Sequence, residues 1–551
     1  MRIKNMSRLR FSRALFKGYS YLGLVGAVCA FCISFLPSLL PRPWLFQGIV
    51  TGVSLAFGYG VGTFVSWVSR WLLEWEPPKS VKHVAWWALA IVGPIAGLMY
   101  LFLSASWQAQ VSRLVGEQPQ DHRYIFRILI VSLLVGVVLL YGARLVRYLT
   151  RLLINLIDKL FPRKISIMLG MLIVTYVLIT IFNGLFFKSF VRFANNGYSQ
   201  RNNSTASGIV QPLASERSGS PASLIDWTTL GYQGRNFVAR GPSTVQMADF
   251  SKQKAKEPIR IYAGLQSAVT PAARAALAVR ELERTNAFDR KVLIIANATG
   301  TGWLEPQAMD SVEYMNNGDT AIVSMQYSYL PSWLSFLVNK QDAKDAGREL
   351  FNAAILPENA RPKLITYGLS LGSYSAQSAF SGANDLKYTT DGALFVGTPS
   401  DTELWKTITT NRDAPSPQID PEYNAGTSIR FIDSASDFDE PTASWKKPRT
   451  LYLQHPSDPV IWFDFDLILN KPEWLREKRG ADVSPSMQWY PFITFTQVGL
   501  DQFLGVTAPS GHGHNYGDKI VASWAEVLTP DGWTEQKTEA LQSIINTYAI
   551  E

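Results

Sequence analysis

Five nearly uninterrupted apolar stretches, at about 19–40, 44–68, 84–104, 125–143 and 165–187, occupy the first third of this 551-residue chain. Each is close to or above the ~20 residues a helix needs to cross the hydrocarbon of a bilayer. Hydrocarbon offers no water to backbone amides, so runs of this kind are satisfied as helices. A cleaved secretory leader does not fit, because four further apolar runs follow the first. The connecting segments alternate in charge. The N-terminal tail carries Arg2, Lys4, Arg8, Arg10, Arg13 and Lys17, and the second and fourth loops carry Arg70, Lys79, Lys82 and then Arg144, Arg147, Arg151, Lys159, Arg163 and Lys164. The other two loops hold only Arg42 and then Arg113 and Arg123. Cations concentrate on the cytoplasmic side of spans. The expectation is a multi-pass protein of the cell membrane, its N-terminus cytoplasmic and everything after Phe187 extracytoplasmic.

This topology also accounts for the charge. Residues 1–190 contain 20 Lys and Arg against 5 Asp and Glu, and the remainder is net negative although the whole chain is +8. Basic residues that flank apolar runs serve topology, so no nucleic-acid partner is expected. The spans carry almost no acid or base, which argues against a proton-coupled transporter. Both cysteines, Cys29 and Cys32, fall in the first apolar run and read as small packing residues. The rest of the chain can have neither a disulfide nor a cysteine-ligated metal. Asn195–Ser223 is rich in Ser, Asn, Gly and Pro. It separates a membrane domain (1–190) from a C-terminal domain (225–551) as a linker or collar (191–224). Asn203-Ser-Thr205 within it matches a glycosylation sequon only formally.

From about residue 256 strands and helices alternate, as in a parallel sheet covered by helices on both faces. Strands are expected at Ile259–Ala263, Val292–Ala296, Ala321–Gln326, Leu364–Tyr367, Ala393–Gly397 and Thr450–Gln454. Helices are expected at Ala272–Glu283, at Asp342–Ala354, from about Ser373, and near 518–528 and 535–548. The polar, Pro-rich stretch 399–447 reads as a lid. Two aromatic loops, 327–337 and 488–495, read either as core or as surfaces for acyl chains or the lipid interface.

The chemistry centres on KLITYGLSLGSYSAQ, residues 363–377. A strand that ends in Gly368-Leu-Ser370-Leu-Gly372 and passes into a helix has the form of a nucleophile elbow, with small residues two before and two after the serine. A serine in a plain tight turn is the alternative. Of five histidines, His83 and His122 belong to the membrane half, and His455 stands too near the candidate acid to serve as base. GHGHNYGD (511–518) supplies the base: His514, with Tyr516 to buttress it, or His512. Two histidines at this spacing could also ligate a metal, but no neighbouring set completes a site, and no metal or cofactor is expected. Asp458, in HPSDPV after a late strand, is the candidate acid in the chain order Ser, acid, His; Asp401 is the alternative, and an Asx turn the structural reading of Asp458. The oxyanion donors expected are the N–H of Leu371 and one from NATGTGW (297–303), at Thr299 or Gly300.

Six motifs distributed over nearly the whole chain carry a further resemblance: PSLLPRPWLFQG (37–48), TGTGW (299–303), MQYSYLPSW (325–333), GLSLG (368–372), QHPSDPV (454–460) and GHGHNY (511–516). With them the chain resembles bacterial membrane-anchored α/β-hydrolases that join a multi-span N-terminal domain to a C-terminal catalytic domain. His514-x-Tyr516 also resembles the arrangement in cutinase-like esterases. The resemblance implies a helical transmembrane bundle followed by an α/β-hydrolase domain with a serine-hydrolase site, and it implies no particular substrate. Taken with the membrane half, the expectation is an esterase or lipase acting on lipid esters or acylated envelope glycolipids. An acyltransferase with a sugar or lipid hydroxyl as acceptor is the first alternative, and a non-catalytic transport or assembly factor the second.

Overall fold

The computed structural model describes residues 18–73, 78–119, 124–355, 361–438, 441 and 443–547. The cations of the N-terminal tail, with His122 and Arg123, lie outside these. Contacts divide the chain into two units. One comprises Met1–Phe193 with Phe465–Leu475 and Val483–Leu504; the other comprises Ala194–Asp464, Arg476–Asp482 and Gly505–Glu551.

In the first unit the apolar runs form α1 (Tyr21–Ser34), α2 (Trp44–Leu73), α3 (Lys79–Leu114), α4 (Ile125–Ile157) and α5 (Arg163–Thr180). A π-helical stretch, Ile181–Phe187, carries α5 into α6 (Lys188–Asn203), so the expected linker begins as helix. Among the described residues four helices are long and apolar enough to cross a membrane: α2, α3, α4 and the combined Arg163–Asn203 rod. The first expected span instead gives a 14-residue helix, about 21 Å long against a hydrocarbon thickness of about 30 Å. Proline accounts for this: Pro37, Pro41 and Pro43 follow, and none can donate a helical hydrogen bond.

The irregular backbone after α1 is buried, with Phe35 and Leu39 fully covered, and several of its polar groups are satisfied by side chains. Gln47 Nε2 donates to Ser34 O (3.1 Å), and Arg42 Nη2 donates to Leu36 O (2.9 Å). Gln497 Nε2 also donates to Leu36 O (3.1 Å). Asp501 Oδ2 accepts the N–H groups of Leu39 (3.1 Å) and Leu40 (3.4 Å). Gln497 and Asp501 belong to the helix Ile493–Gly505, far along the chain. The aromatic loop 488–495 packs here too, with Phe492 stacked on Phe57 of α2 at 4.4 Å between ring centroids.

The second unit is built on seven parallel strands in the order β1-β3-β2-β4-β5-β7-β6. In chain order its main elements are β1 (Ile259–Ala263), α7 (Pro271–Arg284), β2 (Val292–Asn297), α8 (Pro306–Met315), β3 (Thr320–Met325), α9 (Lys340–Ala354), β4 (Lys363–Leu369) and α10 (Leu371–Gln377). Then follow β5 (Gly392–Val396), α11 (Glu403–Thr410), β6 (Ile429–Ile432), β7 (Arg449–Leu453), α12 (Ile520–Leu528) and α13 (Glu535–Ile545). The continuous apolar runs of β2, β3 and β5 are buried at every residue, as strands covered on both faces must be.

The stretch expected as a lid contains α11 and β6, and β6 forms an edge of the sheet beside β7. Its strand was hidden because IRFI is short and lies in a polar, Pro-rich context. Within the other aromatic loop Tyr327, Leu330 and Leu334 are buried, so much of it is core, while Leu337 is exposed.

Asp501 generates a stability prediction. Asp501→Ala would leave two buried N–H donors unpaired, at about 1–3 kcal/mol each. The thermal midpoint of the detergent-solubilised full chain, followed by tryptophan fluorescence, should fall clearly, and Asp501→Asn, which keeps an acceptor, should lower it less.

Candidate active site

Strands β2, β4, β5 and β7 lie side by side, and every residue considered below follows the carboxyl end of one of them or packs against it. Open parallel sheets place their ligand sites along this edge.

Ser370 is the residue between β4 and α10, with φ 56° and ψ −124°. A non-glycine residue in this region is strained and is held there by its surroundings. Here the surroundings are backbone. A Cβ on Gly368 would stand 2.4 Å from Gly372 C and O, and a Cβ on Gly372 would stand 2.2 Å from Asn297 O at the end of β2. Ser370 N–H donates to Val396 O of β5 (2.8 Å), and Ser370 O accepts Tyr374 N–H (3.1 Å). The serine is 6% exposed. Beneath it Ser373 and Thr398 are hydrogen-bonded (2.6 Å), and Gln377 bonds both and accepts from the Tyr452 hydroxyl (2.9 Å).

His514 lies against the next residue of the same neighbouring strand. Gly397 follows Val396, and a Cβ built on it would meet His514 Cε1 at 2.5 Å. His514 Nδ1 bonds Asp458 Oδ2 at 2.6 Å, and its Nε2 is buried without a hydrogen-bond partner among the described residues. Asp458 is fully buried and also accepts from the Tyr516 hydroxyl (2.6 Å) and Val460 N–H (2.8 Å). With Nδ1–H directed at the carboxylate, Nε2 is the basic nitrogen. Burial, and then the Asp458 carboxylate, push the Tyr516 phenol well above its ordinary value, so it remains a neutral donor. No hydrogen bond joins Nε2 to Ser370 Oγ in this structure.

The segments bearing Asp458 and His514 grip one another through more than this pair. His455 Nδ1 bonds Gly513 O (3.0 Å), Ser457 Oγ accepts Gly513 N–H (2.8 Å), and His455 N–H donates to the Tyr516 hydroxyl (3.3 Å). The His455 ring stacks on Tyr516 at 4.2 Å. Burial lowers its proton affinity, so it holds the loop as a neutral imidazole. None of these clamps could be read from spacing. They join residues about 60 apart, and only the Tyr516 buttress had a local signal.

The alternatives go elsewhere. Asp401 pairs with Lys340. His512 Nδ1 bonds Asp482 Oδ2 at 3.1 Å. In the loop after β2, Thr299 N–H donates to Trp303 O (3.0 Å), which leaves it no hydrogen for an oxyanion, whereas Gly300 N–H makes only a long 3.4 Å bond to Ser332 Oγ. Leu371 N–H, in the first turn of α10, donates no hydrogen bond among the described residues. Among those residues no cluster of His, Cys, Asp or Glu is arranged to hold a metal ion.

Glu305, at the end of this loop, has no counterpart in the sequence reading. It is 8% exposed and accepts from the Tyr367 hydroxyl (3.2 Å). Burial raises its carboxyl to about 7, against the lowering effects of Tyr367 and His514. An unfolded glutamate titrates near 4.5. The folded chain therefore holds this proton more tightly, and the stability it confers, complete below about 4.5, is lost as pH rises to about 7. Glu305→Gln should be increasingly stabilised relative to wild type across that window, by up to about 3 kcal/mol, with the difference level above it. Thermal midpoints at pH 4.5, 6 and 8 measure this. At Gly397, φ is +53° and the imidazole occupies the Cβ position, so Gly397→Ala should displace His514 and slow any reaction at Ser370, read as the rate of labelling by a fluorophosphonate.

Comparison with known proteins agrees with this architecture. Residues 259–541 match the model of an alpha/beta-hydrolase family, and residues 35–242 match the model of the N-terminal region of an alpha/beta-hydrolase family. No curated protein and no solved structure matches the chain. With more than half its length in the first match and the strained serine at the strand–helix turn of its sheet, the chain belongs to this alpha/beta-hydrolase family.

Proposed function

We propose that the protein is a membrane-bound serine hydrolase of the esterase or lipase kind, acting on lipid esters or acylated envelope glycolipids. The observation that carries this reading is the Asp458–His514 pair, with a basic Nε2 left without a partner beside the strand end that holds Ser370. In the proposed reaction Nε2 takes the Ser370 hydroxyl proton as Oγ attacks the ester carbonyl. Leu371 N–H, with Gly300 N–H as the second donor, stabilises the oxyanion. Imidazolium, held by Asp458, returns its proton to the leaving alcohol, and water attacks the acyl-enzyme by the same route in reverse. A lipid substrate is supported by the four long apolar helices on the same chain. The cations within 70–82 and 144–164, which alternate with the sparser loop holding Arg113 and Arg123, support a catalytic domain outside the cytoplasm. A cytoplasmic N-terminus then requires the short α1 and the irregular segment after it to complete a fifth crossing.

Fluorophosphonate labelling of the full-length protein tests the chemistry. Wild type should label and Ser370→Ala should not; Asp458→Asn and His514→Gln should label slower by about 10³–10⁴-fold. Equal labelling of wild type and Ser370→Ala would refute the reading. Comparison of envelope lipids between wild-type and Ser370→Ala cells should show an accumulating ester that names the substrate. A C-terminal alkaline phosphatase fusion should be active.

A further inference from the structure

Outside the groups assigned above, one buried carboxylate touches both segments that deliver the acid and the base. Asp482 is 7% exposed. Its Oδ2 accepts from Ser457 Oγ at 2.5 Å and from His512 Nδ1 at 3.1 Å. Ser457 immediately precedes Asp458. His512 is two residues before His514, and Gly513 between them donates its N–H to the same Ser457 Oγ (2.8 Å).

The direction of these bonds matters. A carboxylate only accepts, so Ser457 must turn its hydroxyl hydrogen toward Asp482 and its lone pairs toward Gly513 N–H. The proton order is Gly513 N–H to Ser457 Oγ, then Ser457 O–H to Asp482 Oδ2, with His512 Nδ1–H reaching the same oxygen. Hydrogen bonds to an ionised acceptor are stronger than neutral ones, and a chain of them is mutually reinforcing. The 512–514 loop is thus held at two consecutive residues, and Gly513, where φ is +54°, is the pivot from which His514 departs.

We propose that Asp482 is a positioning residue for the base. Acting through Ser457 and His512, it fixes the backbone from which the imidazole of His514 reaches Asp458 on one side and Ser370 on the other. This rests on the reading of Ser370, Asp458 and His514 as a catalytic set. It gives His512 a role distinct from that of a second base: its Nδ1–H is a tether.

The test measures second-order fluorophosphonate inactivation and ester turnover for full-length Ser457→Ala, Asp482→Asn, their double variant and Ser457→Thr, with thermal midpoints alongside. A displacement of the base by about 1 Å costs on the order of 10–100-fold. Ser457→Ala and Asp482→Asn should each slow inactivation by this order, with the loss in kcat and KM little changed. The double variant should be no slower than the worse single, because both act along one chain of bonds. Ser457→Thr, which keeps the hydroxyl, should recover most of the rate. Wild-type rates in the single variants, additive losses in the double, or a loss that follows the thermal midpoint without rescue by threonine would each overturn the proposal. If wild type itself is not labelled at Ser370, the catalytic reading falls and this inference falls with it, an outcome distinct from a labelled wild type with unaffected variants.

Discussion

The buried carboxylate of Asp458 is the group on which the geometry of the site depends. It has no solvent to stabilise its charge, and three donors, His514 Nδ1–H, the Tyr516 hydroxyl and Val460 N–H, take the place of water. Removing a charge from water costs several kcal/mol unless such partners are present. The same donors that make the buried carboxylate tolerable also set the tautomer of the imidazole and its ring orientation. Around them the clamps from His455 and Ser457 onto Gly513 keep two segments some 60 residues apart in one register.

The serine is held by a different device. Its strained backbone is maintained by close contact among three pieces of main chain, the elbow itself, the first turn of α10 and the end of β2. No side chain could be admitted at Gly368 or Gly372 without moving a strand. Ser370 and His514 both lie against the end of β5, where Val396 O receives the serine N–H and Gly397 receives the imidazole. The sheet is therefore the common ruler for two otherwise independent constructions.

The first unit shows a parallel solution to a harder problem. A chain that stops being helical while still covered by apolar surface has to satisfy its amides with side chains. After α1 this is done by Arg42 and Gln47 nearby and by Gln497 and Asp501 from a helix more than 450 residues later. Between Asp458 and His514 the chain thus supplies two stretches, Phe465–Leu475 and Val483–Leu504, to the unit built from the apolar helices.

What the sequence determined by itself follows from local physics. Long apolar runs can be satisfied only as helices. Continuous apolar strands separated by helices have to form a covered parallel sheet, and a GxSxG between such a strand and a helix has a steric reason for its glycines. These are interactions of a residue with its near neighbours or with solvent, so they can be read from the chain. Tertiary structure decided the rest. It placed His514 and not His512 on Asp458, paired Asp401 with a lysine, engaged Thr299 N–H within its own loop, brought Glu305 beside Tyr367, and put a strand where a lid was expected. It also cut the first apolar run to 14 residues and covered the break from the far end of the chain. Each of these depends on which buried polar group finds a partner across a long sequence separation. Composition and spacing carry no record of that choice, because it is made only when the groups are removed from water together.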